Sequence, residues 1–363
     1  MANSLTGSRG VPHKTELSPA YPIDVSCDWQ AFAKRRLDSL TKPPGSLGRL
    51  EEMATKIVSI REQENPGCGN KAAYVFAADH GVSEEGVSAY PKAVTQQMVR
   101  NFLANGAAIN AFARCAAAEV IVVDVGVDAE FVSHSRLIEK KIRRGTRNMA
   151  SGPAMTESET KAAMAVGRTL AQEARLQNRE LIAVGEMGIG NTTAAAAITA
   201  ALTGKTVAEV TGLGTGVSRH MLEHKRQVIE KALCTNDLHG NSPPLEVLQK
   251  VGGLEIAAMV GMVLEALVQR VPVVIDGFIS TAAAALAYAS EPKVKEILFA
   301  GHVSEEPGHQ VLLEYIGLTP ILNLGMRLGE GTGAVLAMML IEAAVRMFNE
   351  MATFSSAGVS GAL

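Results

Sequence analysis

Short apolar runs rich in valine and isoleucine recur along the chain, each ending at glycine or at a polar residue. They are AAYVFAADHG from Ala72, EVIVVDVG from Glu119, ELIAVGE from Glu180, VPVVIDG from Val271, EILFAG from Glu296 and PILNLG from Pro320. Each is too short for a helix and lacks alternation, the pattern of strands buried on both faces. Helical patterns separate them: Ala93 to Arg114, Glu157 to Gln177 and Thr192 to Leu202 follow the first three runs in turn. This alternation predicts an α/β fold, a doubly wound, mostly parallel six-stranded sheet of Rossmann-like type with helices on both faces. Between Met187 and Arg270 the pattern is helical with no strand run, which predicts a long crossover. Trp29 to Arg61 also reads helical, broken at TKPPGSLGRLE, and is expected to pack with the C-terminal helix. The expected division is a polar tail over 1–28, a small helical domain from 29–66 and 331–353, and a large α/β domain over 67–330 that carries the site.

Composition narrows the partners. The chain has 363 residues, 47% of them hydrophobic, enough for a large core. A net charge of −3 without blocks of like charge argues against nucleic acid and acidic membrane surfaces. Cys27, Cys68, Cys115 and Cys234 lie far apart with no Cys-x-x-Cys pair, which suits reduced thiols in a cytosol better than a disulfide framework or structural zinc. The first 24 residues are polar and proline-broken, without the apolar stretch of a signal peptide. The apolar stretch after Gly333 is interrupted by Glu342 and Arg346, so a buried core helix is expected there and no membrane span.

In a doubly wound sheet, ligands bind outside the carboxyl ends of the strands. There the chain places Asp79-His80-Gly81, Asp124-Val125-Gly126, Gly185 to Gly188, Asp276-Gly277-Phe278, Gly301-His302 and Gly325 to Glu330. GEMGIGNTTAAAAI, from Gly185, feeds a glycine turn into Asn191, Thr192 and an alanine-rich helix. This is an anion site in outline, or else only a helix cap. DGFISTAAAALA, from Asp276, repeats the design. LTGKT, from Leu202, lacks the first glycine of a phosphate loop and follows a helix; GLGTGV, from Gly212, lacks the last glycine of a dinucleotide fingerprint. Asp79-His80 without a partner at ligand spacing reads as an orienting hydrogen bond, so no metal and no cofactor is expected. GHVSEEPGH, from Gly301, reads as a capped loop before a helix, since no GxSxG accompanies its Ser304 and His302. In RLGEGTGAVLAMML, from Arg327, Glu330 stands between glycines before an apolar helix, where a phosphate would be repelled.

FAADHGVSEEGVSAYPKAVT, VDVGVD, GEMGIGNTTAAAA, VGGLEIAAMVG, DGFISTAAAL and MRLGEGTGAVLAM occur in order, and with them nearly the whole chain from Leu40 onward resembles the nicotinate-nucleotide–dimethylbenzimidazole phosphoribosyltransferases of cobalamin synthesis. The resemblance implies a homodimeric cytoplasmic enzyme of two domains. It implies transfer of ribose 5-phosphate from nicotinate mononucleotide to a benzimidazole ring nitrogen. The implied general base is Glu330, with Glu186 as a second carboxylate. Gly188, Asn191, Thr192 and Lys225 are implied near the donor, and Ser88, Tyr90, Pro91 and Met98 around the acceptor. Met187, Gly214, Gly301, His302, Leu328 and Gly329 complete the implied binding set. Some relatives carry glutamine at the Met98 position. From the residues themselves two other readings stand. One is a phosphoribosyltransferase using the pyrophosphate donor, although Asp124 and Asp128 are not the adjacent acids it would want. The other is a nucleotide sensor without a base.

Overall fold

The structure, a computed structural model, describes residues 27–214, 219–240 and 242–360. Helices α1 (Cys27–Ser39) and α2 (Arg49–Arg61) precede β1 (Lys71–Ala78), α3 (Ala93–Leu103), α4 (Ala108–Cys115), β2 (Ala118–Gly126) and β3 (Leu137–Glu139). Then come α5 (Glu157–Leu176), β4 (Leu181–Met187), α6 (Asn191–Thr203), α7 (Val207–Val210), α8 (Arg219–Thr235), α9 (Pro244–Val251), α10 (Leu254–Gln269) and β5 (Val273–Ile275). The chain closes with α11 (Phe278–Ser290), β6 (Leu298–Ala300), β7 (His302–Ser304), α12 (Pro307–Ile316), β8 (Leu322–Met326), α13 (Thr332–Glu350) and α14 (Phe354–Ala357).

The expected α/β architecture is present, with every strand pair of a six-stranded sheet parallel and the order β3-β2-β1-β4-β5-β6. β1 lies at the centre and is buried along its whole length, as an apolar run without alternation requires. The sixth strand is not the one the sequence suggests. PILNLG starts against β6, where Ile321 N–H meets Ala300 O, and then leaves to pair as β8 with β7 in a separate two-stranded sheet. Asn323, Leu324 and Gly325 are exposed there, so this run is not a core strand. The sixth place goes to β3, three residues in a polar stretch and too short to give a periodic signal. The expected helix over Ala93 to Arg114 is broken at Ala104–Ala107, where Asn105 turns left-handed and Asn110 accepts Ala107 N–H and donates to Phe102 O.

One layer is built on α5, α10 and α11; the other holds α4 and α13 against the sheet, with α2 outside α13 and α1 on α2. α13 is long and apolar enough to cross a membrane by length and composition, yet over half of it is buried between sheet and α2. Its Glu342 and Arg346 pair with each other, and Glu342 also holds the buried Lys71. TKPPGSLGRLE forms the turn between α1 and α2, stapled by buried Lys42 on Glu51 at 2.8 Å. Arg36 ties α1 to the end of α13 through the carbonyls of Phe348 and Met351. Cys68 is buried, and Cys115 and Cys234 are exposed, all as free thiols. Most of the polar tail expected over 1–28 lies outside the described residues.

Candidate active site

A cavity of about 570 Å³ opens at the carboxyl ends of β1, β4 and β5, within the range of small-molecule sites. Its wall gathers Tyr90, Met98, Glu186, Met187, Gly188, Asn191, Thr192, Gly214, His302, Leu328, Gly329 and Glu330. Ser88 and Lys225 line a smaller adjoining pocket that shares Gly188, Asn191, Thr192 and Gly214. Pro91 and Gly301 are not brought to the cavity wall. Pro91 is exposed and its carbonyl receives Val94 N–H at the start of α3. Gly301 is a packing glycine: a Cβ there would lie 2.8 Å from Ala334 Cα in α13.

The backbone around Glu330 is strained. Gly329, Glu330 and Gly331 have φ of 88°, 65° and 92° in succession. Glycine takes such angles freely, whereas for glutamate they cost about 1–2 kcal/mol. The turn is wedged in place. Gly185 of β4 lies so close that a Cβ on it would collide with the Glu330 carbonyl and Gly331 nitrogen. On the other side Asp276, just past β5, accepts Gly331 N–H at 3.1 Å and Ala334 N–H at 2.9 Å. Glu330 is 6% exposed, and its Oε2 has no hydrogen-bond partner. Burial pushes its carboxyl up to about 7; the Ile109 N–H opposes the shift and the Asp276 charge adds to it.

Glu186 ends β4 beside this turn. Burial pushes it up to about 8, helped by the charges of Glu255 and Asp276, while the amide of Asn191 donates to its Oε2. The glycine turn before α6 is tight: Gly190 has φ of 99°, and a Cβ on Gly188 would collide with Ala78 O. Asn191 and Thr192, the first residues of α6, consequently present their side chains at the cavity. Lys225 reaches the same point from α8 and donates to Thr192 Oγ1 at 2.8 Å. It is 1% exposed, and burial lowers it to about 8, against the pull of Glu306. A buried ammonium with a hydroxyl, beside a helix start, has the chemistry to hold an anion.

Other wall residues are not among the expected site residues. Val94, Ile189, Phe278 and Ile279 supply apolar surface, and Ser304, Glu306 and Arg327 supply polar groups. Glu306 receives Gly214 N–H at 2.8 Å, which closes the wall beside Lys225. The SEEPG stretch gave only a loop signal, and the apolar residues follow glycine turns where helix packing explains them equally well. The remaining strand-end groups are occupied structurally. His80 pairs with buried Glu255, Asp79 receives Asp128 N–H at 2.8 Å, and Asp124 receives Val127 N–H at 2.8 Å. Asp128 is held by Lys92 at 2.7 Å, so Asp124 and Asp128 do not converge on the cavity. Ser304 and His302 form no nucleophilic pair: His302 Nδ1 donates to Val303 O at 2.9 Å, and the Ser304 N–H donates to His309 Nδ1. Burial lowers His309 to about 3, so it is neutral.

Residues 24–359 match the family described as phosphoribosyltransferase. The chain is 53% identical over 349 residues to the nicotinate-nucleotide–dimethylbenzimidazole phosphoribosyltransferase of Geobacter sp. (strain M21), covering 96% of this chain and 99% of that one. It is 52% identical over 330 residues to the protein of the same name from Thermus thermophilus, covering 91% and 98%. A crystal structure of CobT from Thermus thermophilus superposes with a TM-score of 0.88 at 51% identity, covering 92% of this chain and 100% of that one. The chain therefore belongs to the nicotinate-nucleotide–dimethylbenzimidazole phosphoribosyltransferase family.

Proposed function

We propose that the chain transfers the 5-phosphoribosyl group of nicotinate mononucleotide to 5,6-dimethylbenzimidazole or a related base, giving α-ribazole 5′-phosphate and nicotinate. The observation that carries this reading is one buried, elevated carboxylate on a strained turn, facing a cavity whose other end offers an anion site. The acceptor nitrogen attacks C1′ and the C1′–nitrogen bond to nicotinate breaks. The leaving pyridinium nitrogen takes that electron pair and departs neutral, so no acid has to assist it. The acceptor's other N–H proton goes to Glu330. A base held at about 7 suits that transfer at neutral pH. Lys225, Thr192 and the Gly188–Thr192 turn hold the donor phosphate in this reading, and Tyr90, Val94 and Met98 of the acceptor wall hold the flat ring. Incubation with nicotinate mononucleotide and dimethylbenzimidazole should release nicotinate. Donor binding without release would leave only a sensor.

The protein is proposed to act as a cytoplasmic homodimer of chains that each join a large α/β domain, 67–330, to helices from 29–66 and 331–353. Leu328 of the cavity wall and Leu324 of the nearby β8 are exposed, which supports a covering copy. Sedimentation at one chain mass would refute the dimer.

A further inference from the structure

Directly behind the Glu330 turn sits a carboxylate that lines no part of the cavity. Asp276 is 2% exposed and lies one residue past β5; its neighbour Gly277 forms the wall. Its two oxygens divide between Gly331 N–H and Ala334 N–H, both in the first turn of α13. That helix has glycine at its N-cap and no side-chain cap of its own, so these donors would otherwise be orphans. The cap thus comes from another strand, and the same bond that closes the helix end fixes the residue after Glu330.

His302 approaches the same carboxylate. Its Nδ1 faces the Val303 carbonyl, which can only accept, so Nδ1 carries a proton. Its Nε2 lies 3.6 Å from Asp276 Oδ1, buried and without a hydrogen-bond partner. Gly333 leaves room for the imidazole, since a Cβ there would collide with it. The whole group is therefore built around Asp276: a ring packed beside it, two amides on it, and the β4 backbone at Gly185 closing the far side of the turn.

We propose that Asp276 is the positioning residue of the reaction, holding the left-handed Gly329–Glu330–Gly331 turn against the strand ends so that Glu330 is aimed at the acceptor, with the His302 ring packed beside it. The inference rests on the transfer reaction proposed above. The positive φ of Glu330, a non-glycine residue, persists only where the surroundings over-determine it. Glu330 keeps one oxygen without a partner, while the Ile109 N–H acts on its carboxyl. A base displaced by about 1 Å can lose on the order of a hundredfold in rate.

The test is a double-mutant cycle on the full chain, with Asp276→Asn, Glu330→Gln and both together. Asp276→Asn should lower kcat by about 10- to 100-fold and leave both KM values within about threefold. In the Glu330→Gln background the same change should cost less than about threefold more, because Asp276 acts through Glu330. Additive losses, or a single variant with wild-type kcat, would overturn the proposal. Amide exchange gives a reading that needs no turnover. Gly331 and Ala334 amides should exchange at least about tenfold faster in Asp276→Asn than in the wild type. Equal rates overturn it, as do wild-type amides exchanging like an exposed loop should the variant not fold. A wild type that releases no nicotinate but protects these amides would refute the reaction and keep the structural assignment.

Discussion

Glu330 shows how a residue is made reactive by where it is put. A glutamate in water is a weak base near neutral pH, because it gives up its proton too readily. Here burial and the Asp276 charge raise it to about 7, while the cavity leaves one oxygen free. The sign follows directly: the carboxylate form is the base, it fills as pH rises through about 7, and activity is lost as pH falls below that value. A kcat profile flat from pH 5 to 9 would contradict the assignment. Glu330→Gln keeps shape and removes the base, and should lower kcat by roughly 10²–10⁴ with donor affinity little changed. A folded variant with near-normal turnover would exclude the role. Lys225 is the complementary case, a buried cation that donates to Thr192 Oγ1 and is proposed to meet the donor phosphate. Lys225→Ala removes a charge-assisted contact of about 1.5–3 kcal/mol, so the donor KM should rise roughly ten- to a hundredfold and the acceptor KM little. Equal rises for both substrates would place Lys225 away from the phosphate.

Among the elements, those with one clear period were legible and those serving two purposes were not. β1, β2 and β4 are long apolar runs buried on both faces, and the alternating helices follow from their amphipathic spacing. β3 is too short to carry a period, and PILNLG carries an apolar signal although it lies on the surface. The sequence of α10 is apolar all round because it is buried all round, against β1, β2, β4 and α5. Its crossing with α5 depends on two glycines. A Cβ on Gly261 would strike Met164 O, and one on Gly167 would strike Ala258 O, so the two helix backbones touch with no side chain between them. Neither glycine has an unusual φ, so nothing local marks them. Gly261→Ala gains helix propensity of about 1 kcal/mol, yet overpacks a backbone contact that cannot move aside, at about 1–3 kcal/mol or more. A net loss of stability is expected on urea unfolding. A variant as stable as the wild type would mean that α5 and α10 can separate without cost.

At the scale of the whole molecule, the cavity is assembled from segments far apart in sequence, and this is why its parts were unequally legible. Polar residues just after strand ends could be named from their place in the fold, as Glu186, Asn191 and Glu330 were. Phe278 follows a strand end too, but as an apolar residue it, like Ile279 and Val94, carries no site signal, because core packing is the usual reason for such residues. In the proposed reaction these apolar residues would set the choice of acceptor. The wall near Tyr90 and Met98 has an aromatic ring, a thioether and aliphatic neighbours in Val94 and Ile189, with few groups able to specify a hydrogen-bond pattern. Met98 packs at the edge of the core, and its sulfur receives the Asn101 amide at 3.9 Å. A methionine wall adapts to shape, and apolar pockets discriminate by about 1–3 kcal/mol per methyl-sized difference. Several benzimidazoles should therefore fall within about a hundredfold of one another in kcat/KM. Adenine should be poorer, because its exocyclic amine and extra ring nitrogens would be buried without partners. Met98→Gln should narrow that gap by offering an amide in the same place. Competition among dimethylbenzimidazole, benzimidazole and adenine, run with both proteins, reads this directly. A wild type that prefers adenine, or ratios unchanged in Met98→Gln, would show that Met98 does not form the acceptor wall.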